Sequence, residues 1–190
     1  MEHIKFRLTG ANTMLMHSDK FADPLNPATK AHKALTSTRK KADEVHEAIA
    51  RSEFIGGCYW SKAEGFHLPG VNVEASFLAG AKLQKLGVKF KQAARVLEDA
   101  LPLAGIKAKT PEALWAIEDH RDSRSVKVGQ ARIVRYRPRF NAGWSIEGTL
   151  LLDADVLNPA EVRKAMTDAG NLIGVGDYRP RFGRFDVEFI

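Results

Sequence analysis

The sequence predicts an α+β fold organised around an antiparallel sheet, and three stretches carry that prediction. Ile4, Phe6 and Leu8 alternate with Lys5, Arg7 and Thr9. Trp144, Ile146, Gly148, Leu150 and Leu152 alternate with Ser145, Glu147, Thr149 and Asp153. Phe185, Val187 and Phe189 alternate with Asp186 and Glu188. A period of two marks a half-buried strand, and helical patterns between these strands complete the α+β class.

Taken in order, the first strand is expected to continue through Met14-Leu15-Met16-His17. Ser18-Asp19-Lys20 and Asp23-Pro24-Leu25-Asn26-Pro27 then mark a loop. Residues 28–56 read as an inserted helical segment. Val45 and Ile49 are spaced i,i+4, and a joint rich in Lys, Thr and Ser lies between Lys33 and Lys41. Gly56-Gly57 ends the segment, Cys58-Tyr59-Trp60 is a short strand, and Phe66-His67-Leu68-Pro69-Gly70 is a turn. Asn72 opens a helix carrying Val73, Phe77, Leu78 and Ala81. Arg95 to Ala104 is expected as strand, Pro111 to Ile117 as a short helix, and Arg132 to Arg137 as strand. Asn158-Pro159-Ala160-Glu161 supplies an N-cap, a proline at the first helical position and a capping-box acid. Val162, Ala165, Met166 and Ala169 form the apolar stripe of that helix, with Gly170 and Gly174 as stop signals. Strand, strand, helix, strand at the end, joined to the first strand and the Asn72 helix, gives a ferredoxin-like sheet with helices on one face. No linker rich in Gly, Ser or Pro divides the chain, so residues 1–190 are expected to form one domain.

Composition narrows the function classes. With 190 residues, 44% of them hydrophobic and 27% charged, the chain can bury a core and is not a disordered polymer. A single cysteine excludes an intramolecular disulfide and a four-cysteine zinc site. No apolar run approaches the roughly 18 residues of a membrane span, and the start lacks the apolar core of a signal peptide. A cytoplasmic protein without a membrane partner is expected. The net charge of +6 is modest, but its placement is not even. Arg121, Arg124, Lys127, Arg132, Arg135, Arg137 and Arg139 are opposed only by Asp122, and Arg179, Arg181 and Arg184 follow near the end. Arginine matches phosphate oxygens and stacks on bases better than lysine does.

One pentapeptide occurs twice: Tyr136-Arg137-Pro138-Arg139-Phe140 and Tyr178-Arg179-Pro180-Arg181-Phe182. Two copies are too few for a repeat architecture. In each, proline lacks the N–H that a ladder needs, which places the segment at a strand end or edge. Arginines beside aromatics hold phosphate and stack a base; equally, both copies could be strand-end loops whose rings cap the core. Around the second copy, Gly174, Gly176 and Gly183 allow backbone N–H groups to approach a phosphate closely. The pattern is neither a P-loop nor a dinucleotide fingerprint, since no Gly-Lys-Ser/Thr follows and it comes after a helix. The candidate nucleic-acid ligands are therefore Arg132, Arg135, Arg137, Arg139, Arg179, Arg181 and Arg184. Tyr136, Phe140, Tyr178 and Phe182 are the stacking candidates, and the three glycines are the backbone contacts.

Nothing indicates acyl transfer: no Gly-x-Ser-x-Gly is present, and Cys58 beside Tyr59-Trp60 reads as packed. The six histidines are scattered without metal-ligand spacing, so neither a metal nor a cofactor is expected. His17, near Asp19 and Asp23, is the single catalytic candidate, set against its reading as part of a polar loop.

The order of a His17-Ser18-Asp19 turn, Leu68-Pro69-Gly70, a helix with Ala75-Ser76-Phe77-Leu78-Ala79-Gly80-Ala81, and a late glycine-rich loop from Gly174 to Arg184 resembles the RAMP superfamily of CRISPR-associated proteins. The likeness is to the seventh-family backbone subunits that coat guide RNA. It implies a modified RRM-like palm, single-stranded RNA held through its backbone (single-stranded DNA being the alternative), and self-assembly along the nucleic acid. The compact length fits a homologue carried by a virus or mobile element. Leu68 stands where isoleucine is usual, and Val71-Asn72-Val73-Glu74 lacks the Ser-Ser-Leu-Lys that often follows. The function expected is non-catalytic binding of single-stranded nucleic acid, RNA preferred. One alternative is a metal-independent endoribonuclease with His17 as general acid or base. Another is a protein-interaction module or decoy acting on a CRISPR complex through an acidic surface.

Overall fold

The computed structural model describes residues 1–190, apart from the side chain of Val128. In chain order its elements are β1 (Glu2–Gly10), β2 (Met14–Leu15), α1 (Pro27–Thr36), α2 (Asp43–Gly57), β3 (Trp60–Ser61), β4 (Gly65–Pro69), α3 (Gly70–Leu83), α4 (Gly87–Ala93), β5 (Ala94–Val96), β6 (Ala100–Pro102), α5 (Pro111–Trp115), β7 (Arg121–Val128), β8 (Ala131–Phe140), β9 (Ser145–Leu152), α6 (Pro159–Asp168) and β10 (Phe185–Phe189). The class is mixed α+β with antiparallel sheets. The largest sheet has the order β10-β1-β9-β5, with Phe6 opposite Gly148 on β9 and Phe189 on β10.

The alternation in β1 separates two faces. Ile4, Phe6 and Leu8 are buried with Ile146, Leu150 and Phe185, and the Phe6 and Phe77 rings meet edge-on at 5.3 Å beneath α3. Helix α6 packs beside α3 and buries Val162, Ala165 and Met166. The opposite face is polar. Arg7 there lies between Glu147 and Glu188, each at 2.7 Å, and its pKa is raised, first by the hydrogen bond to Glu147 and then by that to Glu188. The outward positions of this sheet carry no Phe, Tyr or Trp among the described residues.

The structure departs from the sequence reading at several elements. β1 does not run on to His17, because both of its partner strands end opposite Thr9 and Gly10. Met14-Leu15 instead joins a second sheet, of order β2-β8-β7. Phe66 to Pro69 is not a turn but strand β4, paired with β6 through Leu68↔Leu101; Phe66 and Leu68 point inward and are buried. Helix α3 follows at once, the Gly70 N–H donating to the Asp99 carbonyl at 2.8 Å. Asn72 therefore lies inside the first turn instead of capping it. Arg121 to Val128 forms strand β7, which charge density hid from a hydrophobic pattern. Helix α6 is capped as expected, with Asn158 Oδ1 accepting from the Ala160 N–H at 2.8 Å, but Gly170 does not stop the chain's helical course. It lies in a π turn, Ala169–Ile173, where a Cβ would come within 2.1 Å of the Phe185 carbonyl oxygen.

Candidate nucleic-acid interface

The two pentapeptide copies meet across β2. Leu15 pairs with Arg139 on one side and bridges to Asp177 on the other, so β2 lies between β8 and the start of the second copy although 42 residues separate Tyr136 from Tyr178. Two side-chain contacts fasten the loop that carries the second copy to the β7–β8 hairpin. Arg137 donates from Nε to Asp177 Oδ2, and the Arg124 guanidinium lies 4.3 Å over the Phe182 ring. Asn12 closes the arrangement, its amide donating to the Arg181 carbonyl at 3.1 Å while its Oδ1 accepts the Arg184 N–H at 2.9 Å.

The first copy is largely consumed by the fold. Arg135 is paired with Glu53, whose other oxygen accepts the Tyr136 N–H at 3.2 Å. Tyr136 packs edge-on against Trp115 at 6.1 Å. Arg137 is only 7% exposed, held to Asp177, with Nη1 buried and lacking a partner. Phe140 is 1% exposed, so its expected stacking role is excluded. Arg137 likewise cannot meet a phosphate while buried, and Arg135 has its charge matched by Glu53. Arg124 is matched by both oxygens of Asp122, each at 2.8 Å.

The second copy faces solvent. Arg179, Pro180 and Arg181 are exposed, and Tyr178 is 47% exposed. Arg132, Arg139, Arg179, Arg181 and Arg184 have no carboxylate within salt-bridge distance among the described residues. Arg184 donates to the Pro180 carbonyl at 3.1 Å. Arg132 sits toward the hairpin tip and Arg139 is half-buried. The loop glycines serve the fold more than a ligand. The Gly174 and Gly183 N–H groups donate to Ala169 and Thr13 carbonyls at 2.8 Å, which leaves neither for a phosphate. Gly183 has φ of +78°, and a Cβ there would fall 1.7 Å from the Val175 carbonyl oxygen, so glycine serves the close folding of the loop. Gly176 alone of the three lines a cleft.

That cleft, of about 220 Å³, is bounded by His17, Tyr59, Asn72, Asp177 and Arg179. A groove of about 640 Å³ continues it past Ala75, Ala79, Leu172 and Tyr178, sharing Asp177 and Arg179. On the other side His17 also borders a cavity of about 280 Å³ that reaches Glu53 and Arg135. Tyr59 donates to the His17 carbonyl and accepts from Asn72 Nδ2, both at 3.1 Å. Burial raises the Tyr59 pKa, against the opposing effect of the Asn72 hydrogen bond, so the phenol keeps its proton and its donor role at neutral pH. Glu74, an acid where the resemblance would set a lysine, accepts the Val96 N–H at 3.0 Å and so secures β5. Cys58 is buried, its thiol pushed up to about 12 by desolvation, which makes it inert.

Tyr59, Asn72 and Asp177 were not singled out by the sequence as site residues. Asn72 carried the signal of a helix cap, and Asp177 was hidden among glycines. No protein-family model matches the chain, and no curated protein matches it.

Proposed function

We propose that the chain binds single-stranded nucleic acid, RNA in preference to DNA, on the surface built by the 174–184 loop and the adjoining β8, and that it acts as a non-catalytic binder. The observation that carries this reading is the exposure of Arg179 and Arg181 beside Tyr178, with no carboxylate within salt-bridge distance of either among the described residues. Guanidinium groups next to an open aromatic ring serve phosphate and base together. We read the four-stranded sheet as ferredoxin-like, resting on strand–helix–strand–strand–helix–strand succession and the order β10-β1-β9-β5. Membership of the RAMP superfamily is proposed on the motifs given above. The open sheet face, with Arg7 paired to Glu147 and Glu188 and no outward Phe, Tyr or Trp among the described residues, argues against binding there in the manner of an RRM, so the loop side is favoured.

Titration of single-stranded RNA, single-stranded DNA and duplex of matched length, each at two salt concentrations, tests the reading. Affinity is expected to fall with a log–log slope near −0.7 per neutralised phosphate. A duplex bound as tightly as either single strand, or salt-independent binding, would overturn it. A second reading, metal-independent RNA cleavage, has one observation in its favour: His17 borders both the Tyr59–Asn72–Asp177 cleft and the cavity toward Arg135. RNA incubated in EDTA with the wild type and with His17→Ala separates the two, since only the enzyme loses a cleavage product.

A further inference from the structure

We propose that the 220 Å³ cleft receives a single nucleobase of the bound strand and favours bases bearing an exocyclic amine, cytosine over uracil. This rests on the nucleic-acid-binding reading above and adds a base preference to it.

Size sets the first limit. The cleft is smaller than the roughly 300 Å³ at which pockets for drug-sized molecules begin, so it accommodates a base-sized fragment while the sugar and phosphate remain outside. The adjoining groove supplies that outside: it shares Ala75, Gly176, Asp177 and Arg179 with the cleft. Arg179 thus stands at the mouth, where a phosphate attached to the inserted nucleoside would lie.

Hydrogen-bond accounting sets the preference. The Tyr59 hydroxyl spends its one hydrogen on the His17 carbonyl. Asn72 turns its Nδ2 toward Tyr59, which leaves Oδ1 without a partner among the described residues. Asp177 gives Oδ2 to Arg137 and likewise leaves Oδ1 unclaimed. Both residues line the cleft. Two unclaimed oxygen acceptors call for a ligand edge that donates. Cytosine and adenine present an amino group, whereas uracil and thymine put a carbonyl at the corresponding position. A carbonyl facing these oxygens leaves them unpaired, and sites built to hydrogen-bond reject analogues on that ground.

Fluorescence anisotropy with labelled oligo(rC) and oligo(rU) of about 12 nucleotides, a length within the about 4–16 that a single OB fold covers, tests the proposal on the full chain at a single salt concentration. The two pyrimidine oligomers match in size and phosphate number. Oligo(rC) is expected to bind about fivefold tighter. Asn72→Ala and Asp177→Asn should each bring that ratio close to one by weakening oligo(rC) alone. Asp177→Asn also touches the Arg137 pair, so its thermal melt is recorded alongside, and Asn72→Ala, which leaves that pair intact, decides the matter if the first variant is unfolded. Equal binding of both oligomers to the wild type, alongside a salt-dependent affinity in the two-salt titration of single-stranded RNA, overturns the base preference and leaves the interface standing. A ratio that survives in a folded variant also overturns it. Failure of both oligomers to bind removes the interface reading and this proposal with it.

Discussion

Phe140 and Phe182 hold the same place in the same five-residue sequence, yet the first is 1% exposed in the core and the second lies half-buried under Arg124. The arginines divide in the same way: Arg137 is buried on Asp177, while its counterpart Arg179 is exposed. Identical side chains thus acquire opposite roles from their backbone settings. The first copy is part of β8, flanked by β7 and β2, and α2 packs against that strand. The second is a loop tied down at Asp177 and Gly183, with its middle left in water. A motif of this kind indicates what chemistry is present; pairing partners decide whether it is available.

The two phenylalanines should respond most differently to truncation. Phe140→Ala should cost about 3–5 kcal/mol in urea unfolding. Phe182→Ala should cost only ~1 kcal/mol, the scale of an exposed cation–π contact; equal losses would erase the distinction. Next comes the ion pair between the first copy and Asp177, the residue that precedes the second. Asp177→Ala leaves Arg137 buried without its carboxylate, and a loss of roughly 3 kcal/mol is expected. The corresponding removal of charge in the open copy, Arg179→Ala with Arg181→Ala, should leave the unfolding midpoint nearly unchanged. It should weaken single-stranded RNA binding about tenfold and reduce the salt slope by about 1.4, for two phosphates. Unfolding by that double variant, or an unaltered slope, would show the second copy to be structural too.

The smallest effect concerns the surroundings of the first copy. His32 stacks on Phe21 at 4.6 Å, with Nδ1 3.0 Å from Ser52 Oγ. Its pKa is lowered, chiefly by burial and additionally by Arg135, against an opposing pull from Glu53. A histidine depressed in the folded state favours folding above its ordinary value near 6.5. That contribution is lost as pH falls, because the unfolded chain takes up the proton more readily. Stability should therefore decline modestly from pH 7 to 5, and less so in His32→Gln. Identical pH profiles for the two proteins would remove His32 from the account.

Much of the frame was legible because its strands have one wet face and one dry face, as β1, β9 and β10 do. The Asn158-Pro159 helix start was legible because the cap is local in sequence. β7 was not, since its register is set by pairing with β8 and its side chains are mostly polar. β4 was misread because Pro69 and Gly70 suggested a turn, whereas the proline closes the strand and the glycine opens α3. Within the candidate interface, the pentapeptides and glycines could be read directly. Their unequal exposure could not, because Glu53 and Asp177 pair with β8 from 82 and 40 residues away.

Asn12 has a further consequence. Its own carbonyl accepts the Trp144 indole N–H at 3.0 Å, so the clasp on Arg181 and Arg184 is itself anchored to the core. The arginine-bearing turn is therefore shaped in advance, and the binding proposed above would lose little ordering entropy on contact. For such a preorganised surface, added salt should slow the encounter more than it shortens the lifetime of what forms.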